Sequence, residues 1–259
     1  MPFTLAHPAA VMPLRRLRFL PTAALIVGSL TPDVPYYVPG RLNAAIHDTH
    51  TLYGSFVMCI PLGLFVIAFA LFMRRPLTAL MTERARWVSL RAAERFAARP
   101  INWLFAIPAL LIGSWTHILW DSFTHPGAWG VRRVDALSEQ VSLFGFYTGE
   151  MSHVMQYASS AIGLAVVGYW YAQVAAEAPP GVSTSSAHSS RFRWLVLSLV
   201  AVAAAGAGVL AVRLHHQDLT FYATTYMLLT RTLGWFMLLY VLAGTLVTLA
   251  ERFQPQLEA

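Results

Sequence analysis

Residues 102–126 read NWLFAIPALLIGSWTHILWDSFTHP. Up to Trp115 the run is apolar, and with 116–122 it reaches the ~20 residues a helix needs to cross a bilayer. Its far end carries His117, Asp121 and His125 at i, i+4 and i+8. On a helix those side chains stack along one face. Two imidazoles and a carboxylate on one face are a metal-ligand set as well as a hydrogen-bond set. A carboxylate inside a span costs roughly 2.5–3.5 kcal/mol on insertion scales unless it is paired or solvated. The stretch therefore reads as a membrane helix with a functional end.

The rest of the chain fits a membrane environment. Of 259 residues 57% are hydrophobic and 12% charged, against ~25% charged in a soluble domain. Mean hydropathy is +0.55. The 18 basic residues are all arginine, and the net charge is +6. In a membrane chain the positive-inside bias accounts for that excess better than nucleic-acid binding does. The single Cys59 lies in an apolar run and excludes an internal disulfide.

Five long spans are expected, at about 50–73, 102–122, 153–175, 194–213 and 225–249. The N-terminus has Arg15, Arg16 and Arg18 followed by an apolar run, a pattern shared with signal peptides. It is read instead as a hairpin of short helices, roughly 5–18 and 21–31, with the arginines at the tip and His7 and Asp33 at the open end. Residues 34–49 and 123–150 read as polar loops, and 80–98 as an amphipathic surface helix. The fold class is thus all-α: a polytopic bundle of about five spans plus the hairpin. Residues 1–175 form a membrane-embedded metal-site domain, 176–193 a flexible low-complexity linker, and 194–259 a C-terminal pair of spans.

Loop 74–101 carries seven arginines and is assigned to the cytoplasm. His7, Asp33, His50, His117, Asp121 and His125 then collect at the outer face. Alone, His7, Asp33 and His50 read as interfacial, turn and helix-start residues. Together the six are read as metal ligands, with Asp33 or Asp121 doubling as general base. Zinc suits such a nitrogen and oxygen set. Six groups exceed the four of a structural site, so one or two divalent ions are expected. Glu150 with His153 reads as a solvated loop end. Gln156, Ser159 and Ser160 read as ligand-orienting or helix-packing residues. His47, His188, His215 and His216 are set aside.

Three functions follow. The first is a membrane-bound metal-dependent hydrolase acting on phosphoesters or lipid headgroups, in contact with the bilayer and not with nucleic acid. The second is a non-enzymatic scaffold or partner-binding protein fastened by a structural metal or a His–Asp hydrogen-bond cluster. The third, a transporter, needs polar groups through the bilayer, which the first, fourth and fifth spans largely lack at their middles.

The ordered motifs MPFTLAHPAAVMPLRR, GSLTPDVPYY, THTLYG, THILWDSFTHPGAW and MQYASSAIGL resemble the bacterial membrane family of unknown function DUF4184, over about residues 1–175. That family is similar to the inner-membrane metal-dependent hydrolases, which have an early His, a P-D, a T-H-S and an H-x3-D motif. The resemblance maps these onto His7, Asp33, His50, and His117 with Asp121. The chain has Thr51 where T-H-S has Ser, and A-I-H-D where H-R-G often precedes it. More distantly, H-x3-D followed by His is similar to zinc-dependent phospholipases C and related nucleases, and implies a helical phosphodiesterase-like cluster at a bacterial inner membrane.

Overall fold

Helices make up almost all of the protein in the computed structural model, which describes residues 3–38, 46–143, 147–179, 189–215 and 221–253. His188, His216 and the side chain of His47 lie outside them, as does most of the expected linker.

The N-terminal hairpin is assembled from short pieces. A 3-10 turn over Thr4–Ala6 leads into α1 (Pro8–Val11) and a second 3-10 turn over Met12–Arg16. Pro8 and Pro13 each open a piece, as expected of residues without an amide hydrogen. The first arm is therefore broken and not one helix from 5 to 18. The second arm is α2 (Thr22–Leu30), which runs through a 3-10 turn over Thr31–Asp33 into α3 (Val34–Tyr37). Then come α4 (Ile46–Thr49), α5 (Leu52–Gly54), a π turn over Ser55–Cys59, and α6 (Ile60–Phe72). Pro61 has no amide hydrogen for the Val57 carbonyl, and the wider π turn takes up the irregularity.

The chain continues as α7 (Arg74–Ala79), the amphipathic α8 (Glu83–Ala97) and α9 (Ile101–Thr124). Residues 123–150, expected as plain loop, contain α10 (Asp135–Ser138) and an antiparallel hairpin of β1 (Gln140–Leu143) and β2 (Tyr147–Glu150). Three long helices follow: α11 (Met151–Ala176), α12 (Ser190–Arg213) and α13 (Phe221–Phe253).

Among the described residues four helices are long and apolar enough to cross a membrane: Leu52–Phe72, Ile101–Thr124, Ser190–Arg213 and Ala223–Phe253. The expected third span, α11, is long enough at 26 residues but is not one of them. Ser152, His153, Gln156, Ser159 and Ser160 make its opening turns polar. The all-α bundle stands, with four qualifying spans in place of about five.

The chain divides into two units. One comprises Met1–Val34, Ala45–Ala68 and Phe96–Val174; the other Pro35–Ala44, Phe69–Arg95 and Ala175–Ala259. In the second, α12 packs on α13, Tyr240 donates to the Leu77 carbonyl at 2.9 Å, and Arg91 lies over the Trp87 ring. There α13 also carries Arg231, whose Nη1 is buried without a hydrogen-bond partner among the described residues.

In the first unit α2 lies along α9. Gly28 faces the Leu110 backbone, and Gly113 faces the backbone of Leu25 and Ser29. Side chains at either position would hold the helices apart, so small residues set this contact. The buried face of α9 runs Ala106, Ala109, Leu110, Gly113, Ser114, His117, Asp121 and Thr124. The steps are one, three or four residues, the pattern of one helical face. It is apolar or small as far as Gly113 and polar from Ser114 onward. Pro126 pushes the preceding residue out of helical geometry. His125 is accordingly extended at φ −108°, and Gly127 follows at φ +70°.

Candidate metal centre

Four parts of the chain hold the six polar residues. His7 sits where the Thr4–Ala6 turn meets α1, and Pro8 fixes its exit. Asp33 closes the T-P-D turn at the end of α2. His50 lies between two threonines with separate tasks. Thr49 Oγ1 donates to the Pro32 carbonyl at 2.9 Å, tying α4 to the T-P-D turn. Thr51 caps α5, its Oγ1 accepting from the Gly54 amide at 2.8 Å. A Ser would cap equally well, so the departure at Thr51 is structurally neutral. His117 and Asp121 are one turn apart on α9, and His125 is its C-cap.

These elements bring all six together. His117 Nε2 lies 3.5 Å from Asp33 Oδ1 and 3.3 Å from Asp121 Oδ2. His50 Nε2 lies 3.5 Å from Asp33 Oδ1 and 3.7 Å from Asp121 Oδ2. His7 Nε2 is 3.5 Å, and His125 Nδ1 3.8 Å, from Asp121 Oδ1. The His7 and His117 rings stack with centroids 3.7 Å apart, and the edge of Trp120 closes on His7.

Surrounding groups aim the donors inward. His117 Nδ1 is 2.8 Å from the Ser29 carbonyl oxygen, which can only accept. Nδ1 therefore carries the proton, and Nε2 faces the two carboxylates. Thr49 has given its proton to Pro32, so it accepts from His50 Nδ1 at 3.3 Å, which turns His50 Nε2 inward. Thr4 Oγ1 donates to the outer oxygen of Asp33, Oδ2, at 2.6 Å and leaves Oδ1 to the cluster.

The inward spacing is too wide for hydrogen bonds, which close at 2.7–3.2 Å. His117 Nε2, Asp33 Oδ1, Asp121 Oδ1 and both ring nitrogens of His7 are buried with no hydrogen-bond partner among the described residues. Donors ~2.0–2.2 Å from one tetrahedral ion stand ~3.3–3.6 Å from each other. One ligand atom from each of Asp33, His50, His117 and Asp121 falls in a group within 4.8 Å. These four lie close enough to hold a metal ion, and the orphaned atoms fit one.

Burial and charge set the ionisation outside the spans. Burial, then the adjacent His117, lowers the His7 pKa to about 3, so its imidazole is neutral. Burial works to raise the Asp33 pKa, but the nearby His117 and His50 rings and the Thr4 hydroxyl outweigh it and hold the carboxyl below the usual range. Burial also lowers His125. Neutral imidazole and ionised carboxylate are the forms that bind metal. Access is one-sided: the side chains of His7, Asp33 and His117 are at most 1% exposed, Asp121 is 10%, and His50 and His125 reach 22% and 31%.

The sequence matches the family described as Domain of unknown function (DUF4184) over residues 1–249. The chain belongs to that family. No curated protein and no solved structure matches it.

The site of this DUF4184 protein also rests on groups that sequence reading did not single out: Thr4, Thr49, Trp120 and the Ser29 carbonyl. Nothing in their spacing marks them, because each acts through a backbone placement set by the fold. The threonines of T-H-T were the one available signal. Ser159 and Ser160 hold the cluster from outside. Ser159 Oγ accepts from Trp120 Nε1 at 3.1 Å, and Ser160 Oγ from the Phe3 amide at 3.0 Å. Glu150 accepts from Ser152 at 3.1 Å, and neither it nor His153 is in the metal-capable group. His215 is exposed in the other unit.

Proposed function

We propose that this protein is a membrane-bound metal-dependent hydrolase of phosphoesters, lipid headgroups among them. The observation that carries the reading is the set of inward donor atoms at ligand spacing beside an opening to solvent, with Asp33 Oδ1 and His117 Nε2 buried and without a hydrogen-bond partner among the described residues. Zinc is the assigned metal, because the donors are imidazole nitrogen and carboxylate oxygen. A divalent ion supplies Lewis-acid activation of water and charge neutralisation at a phosphoryl oxygen. Asp33 Oδ1, His50 Nε2, His117 Nε2 and Asp121 Oδ2 would hold it. His50 and His125 flank the way in. Asp33 and Asp121 are both assigned to metal first. Only Asp121 has a second oxygen facing the cluster, since Thr4 holds that of Asp33.

A lipid substrate is supported by the rim. Leu52 and Tyr53, just after His50, are 67% and 75% exposed, and Trp129 stands beside the His125 turn with Arg133 4.6 Å over its ring. Apolar side chains with an arginine at the mouth suit headgroup depth. The arginine count favours a bacterial inner membrane with loop 74–101 cytoplasmic and the centre at the outer face.

The test is metal content followed by substrate. The full chain and a His117→Ala, Asp121→Ala double variant are purified in detergent and their metals quantified by mass spectrometry. Stoichiometric zinc or manganese, lost in the variant, with phosphate release from soluble or vesicle-borne phosphoesters, is expected. No metal after reloading sinks the reading and leaves a hydrogen-bonded scaffold. Metal without hydrolysis of any phosphoester leaves a structural metal site.

A further inference from the structure

The six side chains do not form one undivided shell, because Asp121 splits them. Its Oδ2 is turned to His117 and His50, and with Asp33 Oδ1 it completes the four-residue group. Its Oδ1 is turned the other way, 3.5 Å from His7 Nε2 and 3.8 Å from His125 Nδ1. We infer that the centre holds two divalent ions bridged by the Asp121 carboxylate, the second bound by His7, His125 and Asp121 Oδ1. This assignment rests on the metal-centre reading above and names the part that His7 and His125 play in it.

His7 is the strongest reason. It is 1% exposed, and neither ring nitrogen has a hydrogen-bond partner among the described residues. An unsatisfied buried polar group is costly, and a single ion at the first position relieves none of this. Asp121 Oδ1 is buried and unpartnered in the same place. At 3.5 Å the pair is too far apart to be a hydrogen bond, yet at the separation of neighbouring ligands.

The surroundings hold His7 in that pose. His117 stacks on its ring, Phe3 is bonded to Ser160, and Ala6 packs on Gly163. His125 adds a nitrogen from the open side. That nitrogen also lies 3.1 Å from the Asp121 carbonyl oxygen, a hydrogen bond that ion binding would replace. Three protein donors leave the second ion an open position toward solvent, the mark of a reactive rather than a structural site. Two ions joined by a carboxylate can clamp both the attacking and the leaving oxygen of a displacement at phosphorus.

The test is manganese loading of the full chain in detergent, read by metal count and by electron paramagnetic resonance, so no turnover is needed. Wild type should take up about two ions per chain with a spin-coupled signal. His7→Ala should keep about one, with the signal of isolated Mn²⁺. His125→Ala, at a partly exposed cap, should behave alike and serves if His7→Ala does not fold. About one ion in wild type, unchanged in both variants, overturns the second position and leaves the metal-centre reading intact. Coupled ions unaffected by either variant overturn the assignment of His7 and His125. No ion in wild type overturns both readings.

Discussion

One helix, α9, buries the same face along its whole length for two different reasons. Between Ala106 and Gly113 the face is apolar or small, and α2 lies against it backbone to backbone. This half is complete as it stands. Between His117 and Thr124 the face is equally buried, but the polar atoms it turns into the cluster stand 3.3–3.8 Å from their neighbours. A buried polar network normally closes its hydrogen bonds. This one holds them open while Ser29, Thr4 and Thr49 fix the outer edges. Rigid support around unmade bonds distinguishes a site built to receive something from a core that is merely polar.

The largest effect that separates the halves should come from His117→Ala. A metal at a hundred times its Kd stabilises the wild type by about 2.7 kcal/mol. The variant should gain almost nothing from zinc. Thermal unfolding with zinc and with chelator measures the difference. Equal zinc stabilisation of both proteins would show that the cluster is not the binding site. Next comes Gly113→Val. A Cβ there stands 2.5 Å from the Leu25 carbonyl oxygen and 2.6 Å from the Ser29 nitrogen. Overpacking of this kind costs about 1–3 kcal/mol, and it should show in chelator as well as in zinc. A loss seen only with zinc would mean that the small-residue half is not independently complete.

What could be read from the sequence followed from periodicity. His117 and Asp121 share a face because helices repeat, and the hairpin brings the ends of its arms, hence His7 and Asp33, to one level. The apolar runs likewise mark the four qualifying spans. The errors have local causes. Prolines 8 and 13 break an arm whose hydropathy looked continuous. The polar opening of α11 was averaged away by its apolar remainder. The strands of the 140–150 hairpin are four residues each, too short for an alternating pattern to stand out. Arg231 is one charge in a long apolar run and drew no notice. The outer supports were least legible, since the Ser29 carbonyl has no sequence signature.

Those supports provide the finer tests. Thr4→Val removes the hydroxyl from Asp33 Oδ2 and keeps the shape. Loss of such an outer hydrogen bond typically weakens metal affinity ~10–100-fold. Competition with a chromophoric chelator measures it. An unchanged affinity would mean that Asp33 is oriented by its backbone alone.

The smallest effect should come from Trp120→Phe, which asks whether the open spacing depends on support two steps away. Trp120 donates to Ser159 on α11 and sets its edge against His7. The variant loses one neutral hydrogen bond, about 1 kcal/mol of stability, and leaves Ser159 its bond to the Gln156 carbonyl. Global unfolding should therefore shift by that amount or less. Metal binding should change selectively, because the ring set against His7 is smaller. If Asp121 bridges two ions, the ion bound through His7 should weaken and the one bound through His50 and His117 should not. A two-site titration resolves them. Equal weakening of both would mean that Trp120 supports α9 as a whole, and that the donor half of the helix owes its geometry to the same close packing as the apolar half.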